Sequence, residues 1–237
     1  MRTPDGKSIP VGFRPFHEAD GRAFWWGAAS TTPEELVALW RFTVDYLRHE
    51  KAIHNFLYAY SPGGSLQWPG AKLSRAEYFR RYPGDEYVDL LGVDFYDTSR
   101  KLWWMPFGGR QFSRSLVTML RLIVEEANAR GKLGALTETG QPDVETATWW
   151  TGRLLDPIKS DPVARRISYV LIWTNIERGE HFGPYPGHKS VPDFLKMRDD
   201  PFSLFLYDVP DLYANRGAVD CSEPRCEREQ PAGHVVD

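Results

Sequence analysis

The stretch that decides the fold runs from Ser113 to Glu138 and reads SRSLVTMLRLIVEEANARGKLGALTE. Apolar residues recur at helical spacing up to Arg130, and Gly131 follows where a helix commonly ends in a left-handed conformation. The apolar run that begins at Leu133 has the length and composition of a strand buried on both faces. A helix that leads into a buried strand is the repeating unit of a parallel α/β sheet.

The same alternation extends over most of the chain. The predicted strands are short and apolar, and they are Val11–His17, Asn55–Ser61, Tyr87–Phe95, Leu133–Glu138 and Ile167–Thr174. The predicted helices cover residues 33–51, 74–81, 113–130 and 145–159, with a last one from near Pro192. The first helix has a typical start, because Thr32 and Glu35 can cap each other's backbone N–H groups and Pro33 suits the first helical position.

Strand-helix alternation without antiparallel hairpins favours a parallel sheet covered by helices. The strands recur about every 40 residues, which suits βα units with long loops. We therefore predict the fold class α/β, as an incomplete (β/α)8 TIM barrel that contains about five of the eight βα units and lacks the first three. An open five-stranded α/β sheet has the same spacing and stays as the alternative.

Composition limits the class of protein and its partners. The chain has 237 residues, a hydrophobic content of 42% and a formal net charge of -3, so it can build a core and gives no reason to expect a nucleic acid or an anionic membrane as partner. No apolar run is long enough for a membrane span, and the first residues lack the apolar core of a signal peptide. We expect residues 1–213 to form the barrel portion and residues 214–237 to be a disordered tail.

Metal and cofactor sites are not indicated. The two cysteines, Cys221 and Cys226, lie in the tail with only His234 nearby, which is too few ligands for a metal site. No glycine-rich loop that would cradle phosphate opens a helix after a strand. We therefore expect no cofactor and no metal.

Two glutamates, Glu18 and Glu138, each end a strand-like run and precede a turn. Cleavage of a glycosidic bond needs such a pair, because one carboxyl protonates the leaving oxygen while the other attacks the sugar or activates water. Trp25 and Trp26 follow Glu18 and could offer an aromatic face to a sugar ring. Adjacent side chains on an extended chain point opposite ways, so one of the two tryptophans is expected in the core.

Several segments together resemble glycoside hydrolase family 26, whose members are mostly endo-β-1,4-mannanases with some related β-glucanases and xylanases. The resemblance covers about Ile9 to Tyr213. The segments that carry it are Phe13–Glu18, Phe24–Gly27, Tyr82–Asp89, Gly92–Asp97, Leu136–Gly140 and Pro184–His188.

The resemblance implies a retaining mechanism on a (β/α)8 barrel, with Glu18 as the acid/base and Glu138 as the nucleophile. It also implies that Tyr96 hydrogen-bonds the nucleophile and that Trp173 forms the floor of the subsite where the bond breaks. The candidate substrate-binding residues are His17, Trp25, Trp26, Asp94, Tyr96 and Trp173.

The sequence departs from the family pattern at three places. Asp20 stands where Asn or Thr is frequent, and Thr174 stands where the last strand often has Arg. Ala23 replaces a frequent tryptophan that would stack a sugar on the leaving-group side, so its absence bears on affinity there.

The sequence thus predicts an endo-β-1,4-mannanase acting on β-mannan or a related β-linked polysaccharide, with secretion implied by the family. An N-terminal half-barrel segment is a further expected partner, because five units leave open sheet edges. Two alternatives stay open. One is a β-1,3-1,4-glucanase or xylanase of the same family, and the other is a non-catalytic carbohydrate-binding fragment whose carboxyls lie too far apart to cooperate.

Overall fold

The computed structural model describes residues 6, 8–63, 74–98, 108–176 and 181–209. These residues contain a five-stranded parallel sheet whose strands lie side by side in sequence order. Sequential parallel order is that of a (β/α)8 barrel, whereas a doubly wound sheet reverses its order part-way. The sheet curls into a half-barrel, which confirms the predicted incomplete barrel. The strands are β1 (Val11–Phe13), β2 (Phe56–Tyr60), β3 (Leu90–Tyr96), β4 (Leu133–Gly140) and β5 (Val170–Ile172).

Helices follow the strands along the chain. They are α1 (Pro33–Asp45), α2 (Arg75–Tyr78), α3 (Gly108–Ala129), α4 (Asp156–Ser160) and α5 (Val191–Asp199). The predicted start of α1 is confirmed, since Thr32 Oγ1 accepts from the Glu35 N–H at 3.2 Å and the Glu35 carboxylate accepts from the Thr32 N–H at 2.8 Å. A π-helical turn, Tyr46–Glu50, extends α1 almost to its predicted end.

The core lies between the sheet and α3. Leu116, Leu120 and Ile123 of α3 are fully buried, as their spacing predicts, and α3 packs against β3 and β4. Gly131 has a φ of 64°, the left-handed conformation that lets the chain leave α3 and enter β4. The helix therefore covers the outer face of β3 and β4. The candidate site lies near the carboxyl ends of these two strands.

β1 is shorter than predicted and ends at Phe13 rather than at His17. Pro15 has no N–H to donate to a neighbouring strand. Phe16 and Glu18 then adopt φ angles of 48° and 52°, which no β-strand contains. The expectation that Glu18 closes a strand is therefore wrong, and Glu18 lies on a loop after β1.

The helix predicted over residues 145–159 is also different. It consists of a π-helical turn, Trp150–Leu155, followed directly by α4. Pro157 explains the break, because it has no N–H and its ring displaces the carbonyl of Arg153 one turn earlier. That carbonyl accepts a hydrogen bond from Ser113 Oγ at 3.0 Å instead.

The described residues up to 200 form one compact unit with all five strands, and the described residues 201–209 belong to a second unit. The described part of the second unit contains a 3-10 turn, Leu206–Asp208, whose Asp208 carboxylate accepts from the Phe205 N–H at 3.0 Å. The predicted boundary after residue 213, the tail and both cysteines lie outside the described residues. Within the described ranges, no helix combines the length and the apolar character needed to cross a bilayer.

Candidate active site

The loop after β1 brings Glu18 over the ends of the central strands. Its course depends on the left-handed conformations of Phe16 and Glu18, and the Glu18 N–H donates to the Ser61 carbonyl at 2.9 Å, just beyond β2. The Glu18 residue is only 5% exposed. A left-handed non-glycine residue costs on the order of 1–3 kcal/mol, so two in one loop indicate that surrounding contacts hold Glu18 in place.

Glu138 lies within β4, which continues beyond it. The register between β3 and β4 pairs Leu136 with Val93 and Glu138 with Asp94, so Thr137 is the extra residue of a β-bulge. The bulge lets two consecutive side chains face one group. Thr137 Oγ1 donates to Asp94 Oδ1 at 2.7 Å, and the Glu138 carboxylate lies beside the same aspartate.

Three buried carboxylates meet at this point. One oxygen from each of Glu18, Asp94 and Glu138 lies within 4.8 Å of the other two. Paired carboxyls that cooperate through a covalent intermediate lie about 5–5.5 Å apart, whereas those that leave room for an attacking water lie about 6.5–9.5 Å apart. The nearest oxygens of Glu18 and Glu138 lie no more than 4.8 Å apart, which is nearer to the shorter of these two separations.

Arg14 joins two of these carboxylates. Its Nη1 donates to Asp94 Oδ2 at 2.7 Å and to Ser61 Oγ at 3.1 Å, and its Nη2 donates to Glu138 Oε1. Burial opposes the charged guanidinium, but the carboxylates of Asp94 and Glu138 outweigh it and raise the pKa of Arg14. Arg14 therefore remains a fixed cation that orients one oxygen of Glu138.

Asp94 lies beneath the site, with no exposed side-chain surface. Burial, reinforced by the charge of Glu138, raises the pKa of Asp94 well above its ordinary value, although Arg14 opposes this. The structure thus places Asp94 out of direct reach of a ligand. Its contacts with Arg14 and Thr137 suit it to hold the guanidinium rather than to touch a substrate.

Tyr96 ends β3 and donates its hydroxyl hydrogen to Glu138 Oε2 at 2.6 Å. Burial and the hydrogen bond to the Glu138 carboxylate raise the pKa of Tyr96, because an ionised phenol would set two negative oxygens against each other. Tyr96 therefore stays protonated and remains a donor. Glu138 accepts hydrogen bonds on both oxygens, from Arg14 on one and from Tyr96 on the other.

His17 lies beside Glu18 and packs on aromatic rings. Its ring centroid is 4.7 Å from that of Phe24 and 5.9 Å from that of Trp26. Burial, together with the positive charge of Arg14, lowers the pKa of His17, so the imidazole is neutral at neutral pH. A neutral imidazole can both donate and accept a hydrogen bond.

These side chains border an open cleft with a volume of about 300 Å³. Its walls combine carboxylates with aromatic rings, and aromatic faces pack well on the apolar side of a sugar ring. The described residues that line the cleft are His17, Glu18, Phe24, Tyr96, Thr98, Glu138, Pro142, Trp173 and Phe182.

A protein-family comparison matches residues 2–137, more than half of the chain, to the model described as glycosyl hydrolase family 26. The chain belongs to this family. It is 32% identical to the mannan endo-1,4-beta-mannosidase of Bifidobacterium adolescentis over an alignment that covers 98% of this chain and 23% of that protein.

Solved family 26 structures give the same result. An endo-beta-1,4-mannanase double mutant from Cellulomonas fimi is 45% identical, with a TM-score of 0.77 over 88% of this chain and 44% of that chain. A family 26 beta-mannanase from Bacteroides ovatus is 38% identical, with a TM-score of 0.76 over 92% of this chain and 58% of that chain. The chain thus spans less than two thirds of the length of each of these relatives.

Five of the residues predicted for the family 26 site line the cleft, namely Glu18, Glu138, His17, Tyr96 and Trp173. The two adjacent tryptophans do not belong to its described lining. Trp25 is 65% exposed and touches Trp26 edge-on, at a centroid distance of 5.4 Å. Their role in sugar binding stays a prediction.

Trp26 supports the cleft from behind. Its indole N–H donates to the His17 carbonyl at 2.8 Å, and its ring stacks on Phe24 with centroids 4.5 Å apart. Because His17 and Phe24 both line the cleft, Trp26 sets the position of its wall.

Five residues of the site were not predicted from the sequence, namely Arg14 and the lining residues Phe24, Thr98, Pro142 and Phe182. Arg14 belongs to the Phe13–Glu18 segment, but no role was predicted for it. An arginine next to an apolar strand is nevertheless a signal of a site, because a buried arginine requires an acidic partner. Phe24 and Phe182 offer no comparable signal. Only the folded chain shows that they face the same cleft as Glu138.

A metal ion could be held, within the described part of the chain, by the three clustered carboxylates of Glu18, Asp94 and Glu138. Arg14 already donates to two of them, so a cation would enter beside an existing positive charge. This donor set fits a metal poorly, and the absence of a metal stays a prediction.

Proposed function

We propose that this chain carries the catalytic residues of a retaining endo-β-1,4-mannanase, with Glu138 as nucleophile and Glu18 as acid/base. The observation that supports this most directly is the pair of carboxylates within 4.8 Å of each other at one cleft. The names of the relatives from Bifidobacterium adolescentis and Cellulomonas fimi support mannan as the substrate.

In the first step, Glu138 attacks the anomeric carbon while Glu18 gives its proton to the leaving oxygen. The glycosidic bond breaks, and a glycosyl ester forms on Glu138. In the second step, Glu18 takes a proton from water, which attacks the same carbon and releases the sugar and the Glu138 carboxylate. Two inversions at one carbon leave the anomeric configuration unchanged.

The neighbours of Glu138 suit it to this role. Arg14 and Tyr96 each donate to a different oxygen of Glu138, so the carboxylate cannot rotate away from the cleft. The neutral imidazole of His17 can hydrogen-bond a sugar hydroxyl, and the ring of Trp173 offers an apolar face. Each group therefore acts on position or binding, and the two glutamates carry the bond changes.

The alternative of a non-catalytic binding fragment requires carboxyls that are too far apart to cooperate, and the observed proximity counts against it. The choice of mannan over β-glucan or xylan rests on the names of the relatives alone. Release of reducing ends from β-mannan, β-1,3-1,4-glucan and xylan in parallel tests this choice. A preference for glucan or xylan would overturn the substrate assignment.

The roles of the two glutamates can be separated with substrates of different leaving groups. Glu138→Gln should abolish hydrolysis of mannan and of an aryl mannoside with an acidic phenol. Glu18→Ala should abolish mannan hydrolysis but still release the acidic phenol, which needs no protonation. Glu125→Gln, an exposed glutamate on α3, is the control and should keep full activity. An initial product with inverted configuration, observed by proton NMR, would overturn the retaining mechanism.

We also propose that this chain acts as part of a closed barrel whose remaining units come from an N-terminal half-barrel segment. The five strands among the described residues leave three of the eight in a (β/α)8 barrel to be supplied. The edge strand β5 exposes the apolar side chains of Val170 and Leu171, with Tyr169 just before it, and Leu57 of β2 is exposed beside the other edge strand, β1. Such edges require a partner strand.

Barrel closure can be tested by mixing this chain with a segment that carries the other βα units. A segment from the Cellulomonas fimi relative that carries the three missing βα units should form a one-to-one complex with this chain and yield mannanase activity. Gel filtration and reducing-end assays measure the two effects. A monomer of this chain that is fully active without the segment would overturn the proposal.

We propose that the protein works outside the cell, because a polysaccharide is too large to cross a bilayer. The family resemblance supports this location. Activity confined to the cell lysate of the source organism, with none in the medium, would overturn it.

A further inference from the structure

Asp97 is the centre of a buried hydrogen-bond cluster next to the cleft. Its Oδ2 accepts from Arg153 Nη1 at 2.7 Å, from Gln141 Nε2 at 3.1 Å and from Trp149 Nε1 at 3.1 Å. The Asp97 side chain has no exposed surface. We call Asp97, Gln141, Trp149 and Arg153 the Asp97 cluster.

The Asp97 cluster joins the segments that leave β3 and β4. The Asp97 N–H donates to the Gly140 carbonyl at 2.9 Å, which ties the ends of the two strands together. Asp97 also stands between Tyr96 and Thr98, and both of these line the cleft. On the other side, Gln141 directly precedes Pro142, a further lining residue. The cluster therefore anchors both segments that form this wall of the cleft.

We propose that Asp97 is a positioning residue, which holds the end of β3 so that the hydroxyl of Tyr96 reaches Glu138. A hydrogen bond of 2.6 Å tolerates little displacement, and Tyr96 is the last residue of β3, where a strand is free to fray. Three donors converging on the next side chain remove that freedom. The proposal rests on the proposed function for the role of Glu138, but the contact itself can be measured without any catalysis.

The hold on the end of β3 depends on the charge of the Asp97 carboxylate. Arg153, Gln141 and Trp149 all present N–H groups to one oxygen, and an amide offers them either a neutral carbonyl oxygen, which is a weaker acceptor, or an NH₂ group, which is a donor. Asp97→Asn keeps the shape of the side chain but weakens acceptance. A buried donor left without an acceptor carries the full cost of its lost hydration. The end of β3 should then move, and Tyr96 with it.

The test reads the Tyr96 hydroxyl by ¹³C NMR of the 237-residue chain labelled at the tyrosine ring carbon that bears oxygen. Tyr96→Phe assigns the signal, and Glu138→Gln gives its position after loss of the carboxylate acceptor. In Asp97→Asn the Tyr96 signal should move most of the way to that position. Tyr60 and Tyr78, which are buried and donate to the carbonyls of Tyr78 and Gly92 rather than to the Asp97 cluster, should keep their signals and report an intact core.

A Tyr96 signal that stays at its wild-type position in folded Asp97→Asn would overturn the proposal, because a purely structural residue would alter stability alone. If Asp97→Asn does not fold, Arg153→Met tests the proposal instead. Arg153 is partly exposed, and its replacement removes only one of the donors to Asp97. This replacement should move the Tyr96 signal in the same direction by a smaller amount, and no movement overturns the proposal. Mannan assays are separate, so failure of the proposed function would be recognised independently.

Discussion

The hydroxyl of Tyr96 lies 2.6 Å from Oε2 of Glu138 and donates a hydrogen bond to it. The two residues belong to neighbouring parallel strands, and the register pairs Tyr96 with Gly140 rather than with Glu138. The contact forms because the bulge in β4 turns the Glu138 side chain toward the end of β3. The position of the Glu138 carboxylate therefore depends on a local irregularity of the sheet.

Removal of this hydroxyl should slow catalysis. In Tyr96→Phe, Glu138 loses a donor, and a hydrogen bond to a charged group contributes about 1.5–3 kcal/mol, so kcat should fall about 10–100-fold. Mannan hydrolysis by the closed barrel measures the change. Tyr82→Phe is the matched control, because Tyr82 also donates to a carboxylate, that of Asp85, but on the surface. Equal losses in both variants would contradict the prediction.

A second prediction concerns the guanidinium of Arg14. Arg14→Lys keeps the charge but cannot reach Asp94 and Glu138 with two separate nitrogens of a planar fork. We expect a loss of about 10–100-fold in kcat from one lost charged hydrogen bond. Arg41→Lys, an exposed arginine on α1, controls for the exchange itself. Wild-type kcat in Arg14→Lys would show that the fork is dispensable.

The third prediction concerns the lack of room for a side chain at Gly92, which lies beside the bulge in β4. A methyl group on Gly92 would overlap the side chain of Thr137, which donates to Asp94. Gly92→Ala should therefore lower the free energy of unfolding by about 1–3 kcal/mol, the usual effect of overpacking. Gly12→Ala is the matched control, since nothing lies within 4 Å of the added atom on β1. Urea unfolding of the two variants should give clearly different midpoints, and similar midpoints would refute the argument.

The fourth prediction concerns pH. The folded-state pKa of His17 lies below its ordinary value of 6.5 because of burial and the charge of Arg14. Between these two pKa values the unfolded chain binds a proton that the folded chain does not, so stability falls as the pH drops through this window. His17→Gln should remove this part of the pH dependence. Urea unfolding between about pH 7.5 and pH 5 measures it.

His49→Gln, which replaces an exposed histidine near the end of α1, serves as the control for the pH experiment. A slope of stability against pH that is the same in His17→Gln and in the wild type would contradict the fourth prediction. Below about pH 5 the carboxylates with ordinary pKa values titrate as well, so the comparison is confined to higher pH, where the raised pKa of Asp94 affects the variant and the wild type alike.

Local patterns in the sequence predicted most of the fold. The capping box at Thr32, the apolar stripe of α3 and the left-handed Gly131 depend on residues close together in the chain, and all three occur in the structure. Part of the prediction failed where backbone contacts between segments distant in sequence decide the conformation. The loop at Glu18 is one such place, because its conformation is held by contacts such as the bond from its N–H to Ser61.

The sequence by itself determined the alternation of strands and helices and singled out the two glutamates that meet at the cleft, because short motifs and hydrophobic periodicity record both. Only the tertiary structure brought Arg14 to Glu138, 124 positions further along the chain, and buried Asp94 beneath them. The physical reason is that a parallel sheet sets residues of separate strands side by side. Which of them touch depends on register, and in β4 a single extra residue shifts that register.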